Sequence, residues 1–166
     1  MQFQRHTNRR LYEEHVATLQ LLGRAERVFT GRAGAYPPPA GDSAWASFAR
    51  SLLGAIEGEI ARHFEFEERE LFPRMDEAGD GDLVALLNEE HTTIRAVAQA
   101  LADLLRQALG GGLQVEQWQT MKTLALEFGE RLGSHAQKED GALLPLLEHL
   151  LDEDTDRELF GAYAAG

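Results

Sequence analysis

"LVALLNEEHTTIRAVAQALADLL", residues 83–105, places Val84, Leu87, His91, Ile94, Ala98, Leu101 and Leu105 at steps of 3, 4, 3, 4, 3 and 4. That spacing puts all of them on one stripe of an α-helix, the seam of a helical bundle. Six of the residues suit a hydrophobic core, and the seventh is a histidine. Two questions follow: what packs against this stripe, and why an imidazole stands in it.

Three other segments have the right pattern. From Thr7 or Asn8 to Phe29, the inward positions are Leu11, His15, Leu19, Leu22 and Phe29. Asp42 or Ser43 caps a second helix, whose stripe is Leu52, Ile56, Ile60, His63, Glu67 and Leu71. The third helix is the opening stretch, which begins near Asp82 and ends at "GGG", residues 110–112. The fourth carries Leu124, Phe128, Leu132, His135, Glu139 and Leu143. "GRAGAYPPPAG", residues 31–41, predicts a non-helical crossover or lid-like loop, and "AGDGD", residues 78–82, a break. Pro73 predicts a kink or stop, and Pro145 a kink. "DEDTD", residues 152–156, caps a last short helix ending near Tyr163. No stretch alternates as a strand would. Long amphipathic helices with short links predict an all-α fold: an antiparallel up-down four-helix bundle plus a short C-terminal helix, one domain over residues 1–166.

The pattern is written twice. "HFEFEERELFP", residues 63–73, and "HAQKEDGALLP", residues 135–145, align at a shift of 72, which carries His63 onto His135, Glu67 onto Glu139, Glu68 onto Asp140 and Pro73 onto Pro145. "LYEEHVATL" aligns with "LNEEHTTIR" at a shift of 76, which carries His15 onto His91. The halves, about 7–78 and 82–150, predict two helical hairpins packed about a pseudo-twofold axis.

Composition bounds the function. Hydrophobic residues make up 43% of the 166, enough for a core. The net charge of −12 repels phosphate backbones, so nucleic acid is not an expected partner. No run suits a membrane span, and no apolar segment follows the basic "MQFQRHTNRR" as it would in a signal peptide. The absence of cysteine removes disulfides, thiolate metal sites and cysteine nucleophiles, and fits a cytoplasmic location.

Four of the six histidines, His15, His63, His91 and His135, occupy seam positions, one per helix; His6 and His149 have no repeat partner and are expected at the surface. Four residues advance a helix by about 400°, so His63 and Glu67 share a face, as do His135 and Glu139. Glu68 and Asp140, five residues on, point away from those histidines in a regular helix, and Glu68 is expected to face water. Two carboxylates buried without cations would be costly. Imidazole and carboxylate together suit iron, and carboxylates can bridge two ions, so a di-iron site is the most economical expectation, with manganese or zinc as alternatives. The order His-x-x-x-Glu differs from the Glu-x-x-His of ferritin-like bundles.

At these residues the chain resembles the hemerythrin-like, HHE cation-binding family. The resemblance spans roughly His15 to Pro145 and rests on the two "EEH" motifs and the two longer stretches. It implies a four-helix bundle holding a non-haem di-iron centre, with His15, His63, His91 and His135 as terminal ligands and Glu67 and Glu139 bridging. The oxygen-carrying members have a further histidine where this chain has Arg95, and place the last carboxylate at the position of Asp140. The repeat favours Glu139, with Asp140 as the alternative. Arg95 is expected to pair with a nearby carboxylate, or else to bring positive charge to the site mouth. Tyr12, three residues before His15, either packs or reaches the cluster.

The resemblance implies a protein that binds or senses O2, NO or iron. The alternative is an enzyme acting on peroxide or nitric oxide, or repairing iron clusters. Small ligands are the expected partners of a monomer or homodimer, with a protein partner if the domain is a sensor.

Overall fold

The computed structural model describes residues 3–39 and 41–165, without the side chains of residues 32 and 33. Residues 1, 2 and 166, at the ends of the expected domain, and residue 40, in the expected loop, lie outside that description.

Four long helical runs and a short one make an all-α bundle, and no strand occurs among the described residues. Helix α1 is His6–Thr30. A single 3₁₀ turn, Arg32–Ala35, interrupts the loop that the sequence marked as wholly non-helical. Helix α2, residues 43–78, is continuous but unevenly wound: Ser43–Gly54, Ala61–Phe66 and Phe72–Ala78 are α-helical, separated by π turns at Ala55–Ile60 and Glu67–Leu71. Asp42 caps it by accepting from the Trp45 N–H at 2.9 Å, and Gly79 ends it at φ 103°, which glycine adopts without a Cβ clash. Helix α3 is Gly81–Gly111. Helix α4, residues 115–150, joins Val115–Lys138 to Leu144–Leu150 through a π turn at Glu139–Leu143. Helix α5, Glu153–Ala165, completes the fold.

The helix stops at neither Pro73 nor Pro145. Each proline sits in the first turn of an α segment, directly after a π turn. The missing N–H therefore falls where the hydrogen-bond register is already changing, and the helix runs on.

The core has two apolar compartments. One gathers Phe29, Phe48, Leu52, Ile60, Phe64, Leu101, Trp118 and Phe128. The other gathers Leu11, Leu71, Phe72, Met75, Leu87, Leu143, Leu147 and Leu159. Along every long helix the histidine falls between the two sets, so a polar layer crosses the bundle with hydrocarbon above and below. Leu19, Val84 and Leu124, expected inside, are only half-buried.

Helix α5 folds back onto the start of the chain. Asp156, 3% exposed, accepts from the His6 and Thr7 backbone N–H groups at 2.8 and 2.9 Å. A carboxylate so placed answers both the free donors and the positive end of the α1 dipole.

Candidate metal centre

Each long helix delivers one buried imidazole to the polar layer: His15 from α1, His63 from α2, His91 from α3 and His135 from α4. The second π turn of α2 and the π turn of α4 begin at Glu67 and Glu139, which are 0% and 1% exposed. π turns are rare and recur at functional sites. Here one occurs at the same place in both copies of the repeat.

The Nε2 atoms meet in pairs. His15 and His63 approach to 3.1 Å, and His91 and His135 to 2.9 Å. The two glutamates connect the pairs. Glu67 sets Oε1 3.3 Å from His63 Nε2 and Oε2 3.4 Å from His91 Nε2. Glu139 sets Oε2 3.1 Å from His15 Nε2 and Oε1 2.8 Å from His135 Nε2. Two quartets result, His15–His63–Glu67–Glu139 and His91–His135–Glu67–Glu139, and in each the candidate ligand atoms all lie within 4.8 Å of one another. Both carboxylates belong to both quartets.

The outer nitrogens face carboxylates. His15 Nδ1 lies 2.6 Å from Asp140, His63 Nδ1 2.8 Å from Glu14, His91 Nδ1 2.7 Å from Glu68 and His135 Nδ1 2.9 Å from Glu90. Burial pushes Glu14, Glu68 and Glu90 up, but hydrogen bonds from His63, Arg95 and Lys138 respectively outweigh it and hold them below the ordinary 4.5. An ionised carboxylate only accepts, so Nδ1 carries the hydrogen and Nε2 is the inward donor atom, an arrangement typical of metal-binding histidines.

This corrects the expectation that Glu68 faces water, while Asp140, the alternative to Glu139, stands behind a histidine. They do point away from the histidine of their own helix, but each crosses to the histidine of a neighbouring one. Sequence reasoning also passed over Glu14 and Glu90. Their signal was the repeated "EEH", which sets a carboxylate beside a ligand-type histidine in both halves. Arg95 forms a two-pronged ion pair with Glu68 at 2.6 and 3.0 Å and lies over the Phe64 ring. Tyr12 packs edge-on against Phe3, 5.9 Å between centroids, in the second apolar compartment. His6 and His149 are exposed.

The layer is poorly satisfied by protein alone. Both Glu67 oxygens and Glu139 Oε1 are buried without a hydrogen-bond partner among the described residues. Two neutral imidazoles would oppose lone pairs at each Nε2 pair, and two protonated ones would oppose N–H groups. A shared proton or a cation resolves both problems. The nitrogen and oxygen donors therefore fit a metal ion in each quartet.

The sequence profile of the hemerythrin HHE cation-binding domain matches residues 6–155. The chain belongs to this family. No curated protein matches it. With the buried histidine–glutamate cluster, membership makes this hemerythrin-like chain a metal-binding protein. None of the described helices is long and apolar enough to cross a membrane.

Protons stand in for cations in this hemerythrin-like domain when metal is withdrawn. Burial pulls His15 down, but hydrogen bonds to Asp140 and Glu139 outweigh it and raise the imidazole from 6.5 to about 9. Burial likewise opposes, and Glu139, Glu67 and Glu68 raise, His91 to about 9. Burial pushes Glu139 up, yet His135, His15 and His91 bring it well below 4.5. Folded histidine values above 6.5 mean that the charged forms stabilise the metal-free fold fully below pH 6.5. That contribution is lost as pH rises toward 9. The melting temperature of chelator-treated protein is therefore expected to fall between pH 6.5 and 9, while metal affinity rises over the same window as protons cease to compete. Melting curves at stepped pH test this; a metal-free profile that stays level or climbs contradicts it.

Proposed function

We propose that the chain is a non-haem di-iron protein that binds or senses a small ligand such as O2 or NO. One ion would be held by His15 and His63, the other by His91 and His135, with Glu67 and Glu139 bridging. The observation that carries this reading is the pair of buried carboxylates, each offering one oxygen to each histidine pair, with three of their four oxygens otherwise unsatisfied. Two imidazoles and two carboxylate oxygens make four protein donors per ion. That number would close a tetrahedral zinc site but leave positions open on an iron of higher coordination. Iron so held supplies reversible one-electron chemistry and sites for small diatomic ligands.

Access to the layer favours the His15–His63 side. A cavity of about 200 Å³ reaches His15, His63, His135 and Glu139 from a rim that includes the exposed Arg10, Glu13 and Glu59. The repeat explains the bias. Phe64 stacks on the His91 ring, 3.7 Å between centroids and 12° from parallel. At the shift of 72 its counterpart is Ala136, which lines the cavity instead of filling it. A ligand would enter beside Ala136, while Phe64, which also borders this cavity, covers the His91 ring.

The test is stopped-flow mixing of ferrous-loaded protein with O2 or NO, followed by absorption. Ala136→Phe is expected to slow the reaction about tenfold, the effect of ~1.4 kcal/mol of added barrier, with two ions still bound. No spectral change in the wild type would reject the reading. Unchanged rates in Ala136→Phe would reject this route of entry. Catalytic turnover of peroxide or nitric oxide above that of free ferrous iron would move the assignment to the enzyme alternative.

A further inference from the structure

Helix α5 carries near its end a tyrosine that the metal-site repeat does not contain. Tyr163 lies beyond residue 155, where the family match stops, and has no counterpart in either half. It is nevertheless 6% exposed, with its ring against Phe66 at 4.4 Å and the Arg62 guanidinium 4.9 Å from its centroid. Its hydroxyl donates to Glu14 Oε2 at 2.5 Å, the same oxygen that accepts from His63 Nδ1 at 2.8 Å. Arg10 and Arg62 approach the other oxygen, at 2.9 and 3.5 Å, yet Oε1 has no hydrogen bond among the described residues. Besides His63 itself, the hydroxyl is thus the donor that hydrogen-bonds the Glu14 carboxylate, alongside the Arg10 ion pair.

The other half solves the same problem differently. Glu90, the counterpart of Glu14, accepts from His135 Nδ1 at 2.9 Å and is held by the Lys138 ammonium at 2.7 Å. Lys138 lies three residues after His135 on the same helix, so that clasp is local. Glu14 has a local ion pair too, with Arg10 four residues before it on α1, but its hydrogen bond from a hydroxyl comes from α5 and depends on that helix being docked.

We propose that Tyr163 is a positioning residue for one metal position only: it fixes Glu14, Glu14 fixes the ring and tautomer of His63, and α5 thereby sets how tightly the His15–His63 ion is held. This rests on the reading that each quartet holds an ion. A partner that orders a histidine ligand commonly changes metal affinity by about 10–100-fold. A group one step further out contributes about the worth of one hydrogen bond, roughly fivefold.

Cobalt(II) serves as the probe, loaded anaerobically and then drawn off by excess EDTA while its visible absorption is followed. Wild type is expected to bind two ions. In Tyr163→Phe, which keeps the ring on Phe66, one ion leaves about fivefold faster and the other at the wild-type rate. In Glu14→Gln one ion leaves about 10–100-fold faster, and adding Tyr163→Phe to it changes nothing further, because the hydroxyl acts through that carboxylate. A merely structural role for α5 would speed both ions alike. Equal acceleration of both, unchanged release in Tyr163→Phe, or full additivity with Glu14→Gln would each overturn the proposal. Fewer than two ions bound by wild type would overturn the two-quartet reading and this inference with it. Two bound ions with no effect of Tyr163→Phe would overturn the inference alone.

Discussion

Loading the metal-depleted protein with ferrous iron is expected to raise its melting temperature by on the order of 10 °C. The unfolded chain cannot assemble four imidazoles and two carboxylates from four helices, so binding energy adds to folding energy. At free metal about 1,000 times the dissociation constant the gain is about 4 kcal/mol. A domain of this length gains about 2–4 °C for each kcal/mol. The gain should be larger at pH 8 than at pH 6, since protons on His15 and His91 compete with the cation below about 9. A polar layer that merely set the helix register would melt at the same temperature with chelator as with iron. Differential scanning calorimetry with and without iron separates the two.

Glu139→Gln and Asp140→Asn are expected to differ sharply, although the residues are adjacent. Glu139 offers one oxygen to His15 and the other to His135, so its loss loosens both ions. Competitive chelator titration should show a fall in affinity of more than about 100-fold, beyond the range of an orienting partner. Asp140 touches only the outer nitrogen of His15. Its replacement should weaken one ion by about 10–100-fold and spare the other. The reverse order, with Asp140→Asn the more damaging, would make Asp140 the bridging residue, as in the oxygen-carrying relatives. Glu67→Gln should behave like Glu139→Gln, because the repeat relates them and Glu67 likewise spans His63 and His91.

The sequence made much of this visible because seam positions repeat with the helix. Arithmetic of three and four places His15, His63, His91 and His135 inward, and the shift of 72 selects Glu67 and Glu139 as a pair. The outer carboxylates were harder to see, since Glu14, Glu68, Glu90 and Asp140 serve histidines on other helices, and helix period says nothing about reach between helices. The π turns left no pattern of their own. Pro73 suggested a kink or helix end and Pro145 a kink, and only the paired backbone shows the register shifting just before each proline. The mismatch of Phe64 with Ala136 was present in the aligned repeat, but its consequence depends on Phe64 stacking on His91, which is a fact of packing. Tyr163 lay outside every pattern because its partner Glu14 is 149 residues away.

The most direct test of the two-quartet centre is elemental analysis after anaerobic loading with ferrous iron and removal of excess metal. The proposed di-iron centre predicts two iron ions per wild-type chain, and loss of both in Glu67→Gln/Glu139→Gln, in which neither shared carboxylate remains. Wild-type protein that retains no iron, or a double variant that still holds two, would contradict it.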